Sequence, residues 1–302
     1  MKIVENGYDK NIVVALGLFD SVHRGHTRLI DEAKKLAEFL GAECAVFTFK
    51  NNPFVTFKQN TGLVFTFEER LPIFQNLGVD VVIAKTMDTK YALTSPEAFL
   101  VDLFSQFKIS AVVCGTDFTF GHGGAGDVDM LRFFAASKGA IVKQMELLRT
   151  ESGEKISSTL IRTFIENGEI ALANQLLGRA YRIMGNVVHC FGRGRAYGFP
   201  TANIFVPEEK NKMSQGVYAT TVEVDGFVYD SLTNIGIKPT FNDYTLTVES
   251  FLENYKGNLY GKDITVRFYK KIRNIVKFNS EDEIHEQILR DIEIGAMIKR
   301  TL

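Results

Sequence analysis

The chain has almost no net charge, few cysteines and no long hydrophobic run, and each scarcity removes a class of protein. Its 35 lysines and arginines face 36 aspartates and glutamates, a net charge of −1. That balance excludes a histone-like bulk hold on nucleic acid and gives no pull toward an anionic membrane, so neither partner is expected. No segment approaches the ~20 apolar residues that a bilayer span requires. The start, Met1-Lys2-Ile3-Val4-Glu5-Asn6, lacks the long apolar core of a signal peptide, so a cytoplasmic location is expected. The three cysteines, Cys44, Cys114 and Cys190, are far apart, and none is spaced as C-x-x-C. They lie in apolar or glycine-rich runs, and at least two are expected to be reduced, buried thiols. There is no internal repeat and no low-complexity tract, and histidines number five.

What is present is two successive grammars. The 302 residues are long for one core and comfortable for two domains, and 45% hydrophobic with 24% charged residues is an ordinary globular composition. Over residues 1–180, apolar strand runs alternate with helical periodicity. Ile12 to Leu16 reads as a strand ending at Gly17. Leu29, Ala33, Leu36, Ala37 and Leu40 recur at helical spacing, closed by Gly41. Ala45 to Phe49, Val79 to Ile83 and Ile109 to Cys114 read as further buried strands. Ser95-Pro96 opens a helix, with Ser95 as N-cap. Asp127 to Lys138 reads as helix and Ala140 to Leu148 as extended. Continuous apolar strands separated by helices predict a parallel sheet covered on both faces. Over residues 181–302 glycine becomes dense and strands follow one another. Val217 to Val224 and Phe227 to Leu232 flank the turn signal Asp225-Gly226. Thr245 to Leu252 and Ile264 to Tyr269 follow. A helix closes the chain, with Ser280 and Glu283 as capping box and Ile284, Ile288, Leu289 and Ile292 as its apolar face. The fold expectation is therefore an α/β domain followed by a small, mostly antiparallel β-barrel.

Two constellations carry chemistry. The first is Gly17-Leu18-Phe19-Asp20-Ser21-Val22-His23-Arg24-Gly25-His26, placed where the first strand gives way to the first helix. Ligands of open parallel sheets bind at the carboxyl ends of strands, and a helix start offers free N–H groups to phosphate. Two imidazoles three positions apart can flank one phosphate, with Gly25 letting the backbone come close. Two surface histidines at a helix start would also fit the pattern, but two of only five histidines fall here. The second is Gly192-Arg193-Gly194-Arg195-Ala196-Tyr197-Gly198-Phe199-Pro200-Thr201-Ala202-Asn203. Its glycines permit close approach to phosphates. Thr201 and Asn203, two apart on an extended segment, point to one side, where their oxygens can ligate a hard cation such as Mg²⁺.

The first segment resembles the H-x-G-H motif of the nucleotidyltransferase superfamily. Its surroundings look like the adenylyltransferase half of bifunctional riboflavin kinase/FAD synthetase. Gly115-Thr116-Asp117-Phe118-Thr119-Phe120-Gly121 is similar to that family's G-x-D-F-x-F-G loop. Ile156-Ser157-Ser158-Thr159-Leu160-Ile161-Arg162 is similar to its I-S-S-T-x-I-R. The second constellation resembles the riboflavin kinase signature G-R-x-x-G-F-P-T-A-N. The resemblance spans nearly the whole chain. It implies a Rossmann-like nucleotidyltransferase domain over 1–180 and a riboflavin kinase barrel over 181–302. The implied activity is a multifunctional transferase. Riboflavin and ATP would give FMN and ADP, then FMN and ATP would give FAD and pyrophosphate, with Mg²⁺ required. It implies that His23 and His26 hold the transferring phosphate, with Gly17, Phe19, Asp20 and Gly25 in the nucleotide loop. Ser158, Thr159 and Arg162 would hold the outgoing pyrophosphate, and Asp117 would line the nucleotide and flavin site. Gly192, Gly198, Thr201 and Asn203 would bind the kinase substrates, Thr201 and Asn203 through Mg²⁺. Glu249 would be the base that deprotonates the riboflavin 5′-hydroxyl. Departures are Ser21 for a glycine, Asn51-Asn52-Pro53 for P-H-P, Ala180 for a proline, Cys190 for a glycine, Phe251 for the E-x-H histidine and Ile275 for a glutamate. H-x-G-H alone would also suit transfer to nicotinate mononucleotide or phosphopantetheine, against which the kinase-like segment argues. An enzyme with only one active domain, or a non-catalytic flavin-binding regulator, would carry the same motifs. Oligomeric state is not encoded legibly.

Overall fold

The computed structural model describes residues 1–189, 199–239 and 244–300. Cys190, Gly192 and Gly198 lie outside the described residues. The chain divides into two compact units, Met1–Ser158 and Thr159–Leu302. The sequence division at 180/181 thus differs from the compact one by the two helices Ser158–Asn167 and Ile170–Leu177.

In the first unit the order is β1 (Lys2–Val4), β2 (Tyr8–Leu16), α1 (Arg24–Leu40), β3 (Glu43–Phe49), α2 (Pro53–Thr56) and α3 (Phe67–Asn76). There follow β4 (Val81–Lys85), α4 (Thr89–Ala92), α5 (Pro96–Gln106), β5 (Phe107–Gly115), α6 (Val128–Ser137) and β6 (Ile141–Met145). The six strands form one parallel sheet in the order β1-β4-β3-β2-β5-β6. The strand runs read from sequence are its central members, buried from Ile12 to Leu16 and from Ala111 to Gly115. The edge strand β1 escaped the sequence reading because three residues carry no periodicity. Pro72, a helix breaker by its missing N–H, sits inside α3 without ending it. Helix α1 closes at Gly41, in the left-handed region at φ 63°. Chain order runs outward from β2 to β3 on one side, and β5 lies on the other. The carboxyl ends of β2 and β5 therefore border the crevice where such sheets take ligands.

Helix α7 (Ser158–Asn167) starts on the last residue of the first unit, and its remainder opens the second, followed by α8 (Ile170–Leu177), β7 (Tyr181–Asn186), β8 (Thr201–Phe205), β9 (Gly216–Val224) and β10 (Phe227–Pro239). The second unit ends with β11 (Tyr244–Leu252), β12 (Asp263–Arg273) and α9 (Glu281–Arg300). Its antiparallel sheet has the order β7-β12-β9-β10-β11-β8. The sheet curls until its edges approach: just past β7, Val188 donates its N–H to the Asn203 carbonyl of β8 at 2.9 Å. The Asp225-Gly226 hairpin has positive φ at both residues, 52° and 80°, as a two-residue I′ turn requires. Inside the curl, Thr220, Thr233 and Ser250 form a buried hydroxyl ladder at 2.7 and 2.8 Å. Strand periodicity then places Leu232, Asn234, Glu249 and Phe251 on the opposite face. Helix α9 begins with the expected cap, Glu283 N–H on Ser280 Oγ at 3.2 Å. Its inner face differs in part from the expectation. Leu289 is exposed, and the buried residues are Gly295 and Asp291, the latter held by Arg273 through Nε at 2.9 and 3.0 Å. Among the described residues no helix is long and apolar enough to cross a membrane.

Candidate active site

The first unit holds a cavity of about 550 Å³ at the carboxyl ends of β2, β3 and β5, within the range of small-molecule sites. One end is polar: Gly17, His23, Gly25, His26, Ser157 and Ser158. The other is aromatic: Phe47, Phe49, Phe57, Tyr91, Phe99 and Phe118. Burial, and then the Asp102 charge, pushes the Tyr91 hydroxyl above its ordinary value, so that wall stays neutral.

Local geometry explains the polar end. His23 is the N-cap of α1, and its Nδ1 accepts the His26 N–H at 3.1 Å. Acceptance at Nδ1 leaves the proton of the neutral ring on Nε2, a donor suited to a phosphate oxygen. The two imidazoles stack with centroids 3.8 Å apart and planes within 6°. Gly25 lies close under that ring: an added Cβ would stand 3.0 Å from His23 Cε1, and the ring would have to give by a few tenths of an ångström. The loop before the helix is strained, with Phe19 at φ 51° and Val22 at φ 41°, both fully buried. Such strain persists only where the surroundings over-determine it, and they do. The Asp20 carboxylate accepts the Val64 N–H at 2.9 Å, and the Phe19 ring meets His26 edge-on at 5.0 Å. Phe19 and Asp20, expected in the nucleotide site, stand behind the cavity wall and shape it.

Sequence reasoning missed Arg70 and Lys155, and noted Ser21 only as a departure from the resembled motif. Arg70 is fully buried. Its guanidinium donates to the Leu18 carbonyl at 3.0 Å, the Phe49 carbonyl at 2.8 Å and Thr48 Oγ1 at 2.7 Å, tying the ends of β2 and β3 together. An arginine on an amphipathic helix carries no signal of burial in one sequence. Lys155 lines the cavity and pairs with Asp117, placing a cation beside the residue expected to line the flavin and nucleotide site. Ser21 Oγ lies 2.8 Å from Ser158 Oγ. Thr159 and Arg162 follow Ser158 on α7, in the second compact unit. The departure Asn51-Asn52 is structural. Asn51 accepts the Met87 N–H and donates to the Met87 carbonyl, both at 2.8 Å. Asn52 caps α2 through the Phe54 N–H at 3.0 Å. Neither amide lines the cavity.

In the second unit two cavities meet at Thr201. One, about 280 Å³, is lined by Phe199, Thr201, Asn234, Glu249, Phe251 and Ile275 beneath α9. The other, about 310 Å³, includes Val187, Thr201, Tyr255, Leu259 and Tyr260. Register assembles the polar group: Glu249 of β11 faces Asn203 of β8, and Phe251 faces Thr201, so all four share one face. Thr201 Oγ1 donates to Glu249 Oε1 at 2.8 Å, and the Asn203 amide lies 3.4 Å from Thr201 Oγ1. Asn203 is itself buried behind Thr201. Phe251, where the resembled motif has histidine, packs edge-on against Phe199 at 5.2 Å and makes that wall apolar. Among the described residues no group of three His, Cys, Asp or Glu is arranged to hold a metal ion.

Two family models match the chain, FAD synthetase over residues 5–160 and riboflavin kinase over residues 177–298. The bifunctional riboflavin kinase/FMN adenylyltransferase of Bacillus subtilis (strain 168) is 37% identical over 92% of this chain and 90% of its own. The protein of that name from Haemophilus influenzae (strain ATCC 51907 / DSM 11121 / KW20 / Rd) is 32% identical over 97% of each. A solved Streptococcus pneumoniae structure, described as a macrolide-efflux protein, superposes with a TM-score of 0.87 at 27% identity, covering 97% of this chain and 98% of that one.

Proposed function

The chain belongs to the bifunctional riboflavin kinase/FMN adenylyltransferase family, and we propose that its cavities divide the two reactions between them. The protein phosphorylates riboflavin to FMN with ATP and adenylylates FMN to FAD. The observation that carries the assignment of the second step is one cavity with an aromatic end and a stacked-histidine end. A flat flavin ring suits the first and phosphates the second. The FMN phosphate oxygen attacks the α-phosphorus of ATP, the bond to the β-phosphate bridging oxygen breaks, and pyrophosphate leaves. Little covalent help is needed, so catalysis is positioning and charge stabilisation. His23 and His26 donate to the transferring phosphate. Ser158, Thr159 and Arg162 of α7 hold the pyrophosphate, which is why the functional division stays at 180/181.

In the second unit the riboflavin ring lies against Phe199 and Phe251, and ATP enters the cavity of Tyr255 and Tyr260. Thr201, shared by both cavities, marks where the 5′-hydroxyl meets the γ-phosphate. Glu249 accepts the hydroxyl proton as that oxygen attacks phosphorus and ADP leaves. Mg²⁺ fits this donor set. The Thr201 hydroxyl donates its proton to Glu249 and accepts a long hydrogen bond from Asn203 Nδ2, which leaves one lone pair for a hard cation. A site with few protein oxygens suits an ion that keeps waters and substrate phosphates as ligands. When bound, Mg²⁺ neutralises triphosphate charge. The buried thiols Cys44 and Cys114 support a reducing, cytoplasmic setting. The test is to incubate the pure protein with riboflavin, ATP and Mg²⁺ and separate the flavins by chromatography. FMN should appear first and FAD after it. FMN accumulating without FAD would mean that the first cavity does not perform adenylyl transfer.

A further inference from the structure

Ser21 stands where the resembled loop has glycine, and it is not a passive replacement. Its side chain is fully buried between the strained residues Phe19 and Val22, and its hydroxyl lies 2.8 Å from Ser158 Oγ, the first residue of α7. The pair joins two segments 137 positions apart, the histidine loop and the serine-bearing start of α7, and Ser158 lines the cavity. Two hydroxyls that share one hydrogen bond can point it either way. A phosphate oxygen has lone pairs and no proton to give, so it accepts only. When Ser158 donates to phosphate, its one proton is committed, and only Ser21 can then donate within the pair.

We propose that Ser21 is a positioning residue for adenylyl transfer. Its hydroxyl donates to Ser158 Oγ, holds that side chain in the rotamer that faces the cavity, and leaves the Ser158 proton for the β-phosphate end of the leaving pyrophosphate. This rests on the reading of the first cavity as the adenylyl-transfer site. Occupancy orients the pair: with phosphate bound, the chain of donors runs Ser21 to Ser158 to phosphate, each link strengthening the next. Loss of the Ser21 oxygen leaves Ser158 in place without its orienting donor. Ser21→Gly restores the residue of the resembled motif and so should fold.

The test is a double-mutant cycle read by calorimetric binding of inorganic pyrophosphate with Mg²⁺ to the full chain. Ser21→Ala and Ser21→Gly should each weaken pyrophosphate about threefold to tenfold, the worth of one net hydrogen bond. Ser158→Ala should weaken it at least as much, and Ser21→Ala/Ser158→Ala no further than Ser158→Ala alone, because the two act as one unit. The KM for FMN and the FMN-forming activity should not change, which a general loss of fold would not permit. Additive losses, or unchanged pyrophosphate affinity in both Ser21 variants, overturn the proposal. A wild-type protein that binds pyrophosphate with this coupling yet forms no FAD would sink the adenylyl-transfer reading and leave the pairing standing.

Discussion

The two units build their candidate sites by opposite use of their backbones. In the first, the polar residues come from loops off the ends of parallel strands. His23 and His26 are near neighbours in sequence, and helix α1 itself sets their stacking. In the second, Thr201, Asn203 and Glu249 sit within adjacent antiparallel strands and meet only through register. A loop site is fixed by strain and by backbone groups tied down from outside, as Arg70 ties Leu18 to Phe49. A mid-strand site is fixed by the ladder, which fails only if the register slips. The first should therefore be the more sensitive to small changes in its supports, and the second to the identity of its few reacting side chains.

The largest effect should come from removing, in each, one side chain proposed to act on the phosphates or the hydroxyl. His26→Ala should lower FAD formation from supplied FMN by about 100-fold or more while FMN formation persists. Glu249→Gln should lower FMN formation by about 10²–10⁴-fold and spare FAD formation from FMN. Equal loss of both activities in either variant would erase the contrast between independent sites. Next in size, Gly25→Ala should reduce FAD formation by roughly tenfold, since a Cβ 3.0 Å from His23 Cε1 makes the ring give by a few tenths of an ångström and small misplacements of positioning groups are costly. An unaffected rate would show that the stacked geometry is not the working one.

A smaller and different effect is expected at Arg70. Arg70→Met should destabilise the first unit by ~3 kcal/mol, since it strips buried carbonyls of their donor, lowering its thermal midpoint by about 10 °C. FMN formation measured below that midpoint should be unchanged. The mildest probe is alkylation. Burial, the larger cause at each thiol, pushes Cys44 up to about 12 and Cys114 up to about 11. A raised pKa keeps each as unreactive thiol at pH 8. Iodoacetamide should spare both in the native protein, as read by mass spectrometry, and label them once the first unit unfolds. Labelling of Cys44 in the Arg70 variant at a temperature that spares the wild type would locate the weakness in the first unit.

Legibility in the sequence followed the same division. The parallel strands were readable because burial on both faces leaves continuous apolar runs, as in Ile12 to Leu16. The hairpin was readable because Asp225-Gly226 alone suits two positive φ values. The stacked histidines were readable because the helix start gathers them within four residues. Asp291 was not, because an acid among apolar helix positions looks like one more solvated residue until Arg273 is seen against it. Leu289, in the middle of Glu281–Arg300, was misplaced because periodicity does not tell which flank of an apolar stripe the sheet leaves uncovered.

By itself the sequence determined which chemistries this protein can host: two imidazoles and a serine-threonine helix start in one half, and oxygen donors on alternating strand positions in the other. It determined the layered and curled architectures too, since hydrophobic periodicity is local. The tertiary structure alone decided that Phe19 and Asp20 stand behind the first cavity, that Arg70 binds its floor, that Asn51 pairs with Met87, and that Ser21 meets Ser158. Each of these depends on a contact between segments distant in sequence. A side chain's burial and partner are properties of the fold, and no pattern of near neighbours encodes them.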